Sequence, residues 1–80
     1  MIYTITIVAE NKPGVLNRVT GLLTRRKINI MRLDAHETEK PEISHITINA
    51  HVDPHIIDTL VKQIDRIIEV TAITYATARH

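Results

Sequence analysis

Eighty residues give one small domain, residues 1–80, with a thin core. There is no Phe or Trp and only two Tyr, so burial falls to 14 Ile, 6 Val and 5 Leu, far too apolar a set for a disordered chain. The absence of cysteine excludes disulfides, thiolate metal sites and Cys nucleophiles, and a formal charge of +1 without a clustered basic face argues against nucleic-acid binding. A small fold with so little core gains burial by self-association. Met1-Ile2-Tyr3-Thr4 is no signal peptide, and no apolar run approaches the ~20 residues of a membrane span. A soluble cytoplasmic protein without membrane contact is the expectation.

Residues 2–10 are β-branched and alternate, with Tyr3, Ile5, Ile7 and Ala9 against Thr4 and Thr6, which predicts a strand. Asn11-Lys12-Pro13-Gly14 breaks it. Val15, Leu16, Val19, Leu22 and Leu23 then lie on one helical face, with Pro13 preset for the first turn and an end near Lys27. Arg25-Arg26-Lys27 reads as cations at the carbonyl end of that helix rather than as a phosphate site. Residues 28–38 return to a strand whose parity shifts between Ile30 and Leu33, predicting a bulge at Met31-Arg32.

After a charged turn at residues 39–42, residues 43–52 place Ile46, Ile48, Ala50 and Val52 on one face and His45, Thr47, Asn49 and His51 on the other. Asp53-Pro54 predicts an N-cap followed by proline at the first helical position. Ile56, Ile57, Leu60, Val61, Ile64, Ile67 and Ile68 follow at helical spacing. Val70 to Thr77 closes the chain as a strand.

The order β-α-β-β-α-β predicts a ferredoxin-like α+β fold, a four-stranded antiparallel sheet with both helices on one face. The second and fourth strands lie at the edges, and the long second edge invites a second copy.

No catalytic constellation assembles. Ser44, the only serine, adjoins His45 on a strand, so their side chains diverge. His45 and His51 are about 20 Å apart by strand rise, and only His36 could join one of them. Solvated histidines are the favoured reading, with His55 on the surface and His80 a mobile end. Glu37, Glu39 and Glu42 read as a solvated loop. The aromatic platform of RNA-recognition domains is missing, and so is the Arg-bearing phosphate loop of acylphosphatases.

What remains is the turn from Glu10 to Leu16. Unpaired N–H groups at a helix start can hold a carboxylate, Gly14 allows close approach, and Asn11 offers both a donor and an acceptor. The alternative is that Asn11, Pro13 and Gly14 only build the turn.

Asn11-Lys12-Pro13-Gly14-Val15-Leu16-Asn17-Arg18-Val19, Gly21-Leu22-Leu23-Thr24-Arg25-Arg26 and Ile28-Asn29-Ile30 closely resemble the ACT domain of acetolactate synthase (acetohydroxyacid synthase) small subunits. The pattern there is N-x-x-G-x-L-x-R-v-x-G-l-f-x-x-R-g-y-N-I. Ser44-His45-Ile46-Thr47-Ile48 and Gln63-Ile64 through Ile68-Glu69-Val70 are similar to later parts of the family.

The resemblance implies a non-catalytic regulatory subunit of branched-chain amino acid synthesis. Its ACT domains pair through the second strand and first helix, as dimers with tetramers a further arrangement. Valine would sit on Asn11, Lys12, Pro13, Gly14, Val15 and Leu16 of one chain, completed by Asn29 and Ile30 of its partner. Thiamine diphosphate, Mg and FAD would belong to the catalytic large subunit, and no cofactor or metal to this chain. Lys27 stands where Gly is usual, Ile28 where an aromatic is, and His36 where a small residue is. Typical bacterial small subunits carry a second domain, so the chain is either a short single-ACT subunit or a piece of a longer one. Two other roles are carried forward: a structural, activating subunit without effector, and a metal-responsive sensor through His36, His45 and His51.

Overall fold

Strict alternation of β-branched residues produces β1 (Ile2–Glu10), whose every second side chain is buried, in a computed structural model that describes residues 1–78. His80 lies outside the described residues. The order continues as α1 (Val15–Arg25), β2 (Asn29–Glu37), β3 (Ile43–His51), α2 (Ile57–Asp65) and β4 (Val70–Thr77). The sheet is antiparallel in the order β2-β3-β1-β4, the ferredoxin-like arrangement expected.

The two central strands carry the core. Tyr3, Ile5, Ile7 and Ala9 of β1 and Ile46, Ile48 and Ala50 of β3 meet Val15, Val19 and Leu23 of α1 and Ile57, Leu60 and Ile64 of α2. Each fully buried Ile or Leu stabilises the fold by roughly 1.5–3 kcal/mol relative to exposure. The edge strand β2 adds no buried residue, and eight of its nine residues are exposed. The bulge expected at Met31-Arg32 is present, since the register with β3 shifts between Ile30 and Arg32.

Both helix starts differ from expectation. Gly14, not Pro13, borders α1: it is the N-cap, at φ 85°, and Pro13 lies in the turn before it. At Asp53-Pro54 the chain makes a turn rather than a first helical residue. The Asp53 carbonyl accepts the N–H groups of both Ile56 and Ile57, its carboxylate accepts the His55 N–H at 2.8 Å, and regular helix starts at Ile57. That helix ends at Asp65, so Ile68 falls outside the helical face and is 91% exposed.

The C-terminus of α1 explains a departure noted in the sequence. Ile28 N–H bonds the Leu23 carbonyl at 3.0 Å and Lys27 N–H bonds that of Thr24 at 2.9 Å, the paired bonds of a Schellman cap. Such a cap needs a left-handed residue between helix and exit, and Lys27 holds that place at φ 56°. Arg26 crosses to α2, giving two hydrogen bonds to Gln63 Oε1 at 3.2 and 3.1 Å.

Candidate functional site

The turn after β1 is held by backbone bonds, two within it and one to the β2–β3 turn. Lys12 N–H donates to the Glu10 carbonyl, Asn11 N–H to that of Glu42, and Val15 N–H to that of Lys12. Only glycine adopts the φ of Gly14 without strain, although a Cβ there would meet nothing within 4 Å. No side chain among the described residues caps α1, which leaves first-turn N–H groups at the positive end of the helix without a side-chain acceptor there.

Below this turn lies a cleft of about 200 Å³ lined by Asn11, Lys12, Val15 and Leu16 together with Glu10, Ala35, His36, Glu37, Ser44 and Ile46. Pro13 and Gly14 do not line it. Asn29 and Ile30 lie elsewhere: they pair with His51 and Ala50, at the opposite end of β2 from Glu37. Within one chain, therefore, the first-loop residues and the Asn29-Ile30 pair do not meet.

Glu37 carries a contact that the sequence does not reveal. It reads as a solvated group flanking the turn, and at the exposed end of β2 it accepts the Asn11 amide Nδ2–H at 3.3 Å. The same amide donates to the Pro41 carbonyl at 3.0 Å. Strand alternation from Leu33 and Ala35 would have found Glu37, because it places all three on the helix-facing side. With its donors committed, Asn11 keeps its Oδ1 as a free acceptor beside the Glu37 carboxylate. A site with acceptors on one side and helix N–H groups on the other suits a zwitterion.

Arg18, outside the cleft lining, ties the start of α1 to the sheet. Its Nη2 lies 2.8 Å from Glu69 Oε2, while the Glu69 carbonyl accepts the N–H of Glu10. The guanidinium holds the Glu69 carboxyl below its ordinary pKa. The start of α1, the end of β1 and the entry to β4 are tied at one point.

The histidines do not converge. His36 and His45 are cross-strand partners with ring centroids 5.4 Å apart, and His36 Nδ1 lies 3.3 Å from Asp34 Oδ2. His51 pairs with Asn29 at the other end of the sheet, so the three-histidine sensor arrangement does not form. No three His, Asp or Glu among the described residues could hold a metal ion. No helix among them is long and apolar enough to cross a membrane. A second groove, about 400 Å³, runs between the helices past Arg18, Gly21, Leu22, Arg25, Arg66 and Ile67.

The fold is that of an ACT domain. It superposes on the ACT domain of GTP pyrophosphokinase from Chlorobium tepidum with a TM-score of 0.81, covering 95% of this chain and 97% of that one at 22% identity. Residues 5–72 match the family described as AHAS small subunit-like ACT domain, and the chain belongs to that family. It is 39% identical to the probable acetolactate synthase small subunit of Archaeoglobus fulgidus over 96% of this chain and 48% of that protein. The acetolactate synthase small subunit from Thermotoga maritima shares the fold with a TM-score of 0.80 at 31% identity, over 94% of this chain and 47% of that one. The chain thus spans about half the length of these relatives.

Proposed function

We propose that this chain is a non-catalytic, cytoplasmic regulatory module of acetolactate synthase that binds a branched-chain amino acid, valine first among them, between two copies of itself. The observation that carries this reading is the position of the cleft. It lies between the uncapped start of α1 and the far end of an edge strand with eight of nine residues exposed. If β2 pairs antiparallel with β2 of a second copy, Asn29 and Ile30 of that copy come alongside Ala35–Glu37 and complete the lining.

First-turn N–H groups of α1 would hold the effector carboxylate. Asn11 Oδ1 and Glu37 would accept from its ammonium, and Leu16 and Ile46 would meet its branched side chain. Binding across the seam would shift the population of subunit arrangements. A coupling of ~1–3 kcal/mol is enough to change the output of a thiamine-diphosphate-dependent catalytic subunit.

Calorimetry of the chain with valine, leucine and isoleucine tests the reading. Heat with at least one of the three, diminished in Asn29→Ala, is the expected outcome. Silence from all three would overturn it. A second reading, a structural subunit that activates its catalytic partner without effector, draws on the Asn11 amide. That amide is already satisfied inside the chain by Glu37 and Pro41. Assaying the catalytic subunit with and without this chain, at zero and saturating valine, separates the two.

A further inference from the structure

We infer that Arg32 and Asp34 form a reciprocal charge pair that sets the register of β2 against β2 of a second copy and selects that copy as its partner. The inference rests on the edge-paired dimer proposed above and specifies what holds it. Arg32 and Asp34 lie two apart on the open face of the sheet, beside Thr4, Thr47 and Asn49. Arg32 has no acidic partner among the described residues, and Asp34 has only the ring of its own neighbour His36. An exposed strand edge is a template for another strand, and charges on it decide which.

Two-fold symmetry leaves few choices. An axis normal to the sheet keeps every side chain on its own face, so it must run midway between one residue and that residue's own copy, which lie opposite each other. Centred on Arg32, it sets Arg opposite Arg; centred on Asp34, Asp opposite Asp. Both put like charges within about 5 Å at the Cβ atoms, which destabilises an antiparallel pair. Centring on Met31 or Ala35 leaves about half of the strand without a partner.

Centred on Leu33, Arg32 faces Asp34 of the other copy twice over, and the two strands run alongside each other from end to end, with a one-residue shift at the bulge. The charge pattern and the strand ends select the same centre. The opposite face agrees. Leu33, 38% exposed in the single chain, would meet its own copy. The bulge at Met31 lies outside the Arg32–Asp34 segment and leaves these pairs opposed.

The test is sedimentation equilibrium on the full chain, with circular dichroism to verify folding. It compares wild type, Arg32→Asp, Asp34→Arg, the double variant, and an equal mixture of the two single variants. Each single variant sets like charges opposite each other at two places and should weaken association roughly tenfold or more. The double variant restores Asp opposite Arg and should recover it. In the mixture, a chain with two acids meets a chain with two arginines and should form a heterodimer tighter than either homodimer. Single variants that associate like wild type, or that fail to recover in the double variant and the mixture, overturn the register while the dimer stands. A wild type monomeric at every concentration overturns the dimer itself.

Discussion

The side-chain amide of Asn11 donates to Glu37 Oε1 at 3.3 Å, spanning 26 positions of sequence to tie the first loop to the end of β2. Its second bond, to the Pro41 carbonyl at 3.0 Å, anchors the same loop to the β2–β3 turn. Replacing Asn11 by Ala removes both and should cost about 1 kcal/mol, two exposed bonds each contributing modestly. Asn11→Asp keeps the shape but points a carboxylate at a carboxylate and a carbonyl, so it should destabilise more than Ala does. Urea denaturation of the three proteins gives the order. An Asp variant as stable as the Ala variant would remove Glu37 from the arrangement.

Stability should fall in acid along a path set by two carboxyls. Arg18 lowers the pKa of Glu69, and the His55 N–H lowers that of Asp53. Each group therefore binds its proton less readily folded than unfolded. Its stabilisation is complete above its ordinary value, 4.5 for Glu69 and 3.8 for Asp53, and is lost as pH falls through the lowered one. Melting temperature should hold level from about pH 6 to about pH 5 and then decline. Glu69→Gln should start lower and decline less steeply, because its share of the pH dependence is gone. An unchanged slope in Glu69→Gln would assign the acid limb to other carboxyls.

The central strands β1 and β3 were readable because they alternate. Tyr3, Ile5, Ile7 and Ala9 face the core, and the parity break after Ile30 marks a real bulge. Helix ends were less readable, since an Asp-Pro pair fits both a helical first turn and the tighter turn found here. The two share the bond from Ile57 N–H to the Asp53 carbonyl, and the added bond from Ile56 N–H goes with the turn at residues 54–56. Ile68 misled because its spacing continues a helix that has already ended at Asp65. For the site, residue types pointed to the loop but not to Glu37, whose role depends on which face of β2 it occupies. The distance between Asn11 and Asn29 is a property of the sheet as a whole, and no local pattern encodes it.

Lys27 offers the most direct check that a local rule is broken in this chain. It occupies the left-handed position of the Schellman cap at φ 56°, where a Cβ crowds the following carbonyl. Glycine there removes the strain but adds freedom to the unfolded chain, so Lys27→Gly should stabilise the protein by about 0.5–1 kcal/mol net. The lysine charge also favours the carbonyl end of α1 by a few tenths of a kcal/mol, and Lys27→Ala isolates that contribution by deleting the charge and keeping the strain. The expected order in urea, at constant m-value, is Gly above wild type and wild type at or just above Ala. A Gly variant no more stable than the Ala variant would mean that the cap holds Lys27 without strain.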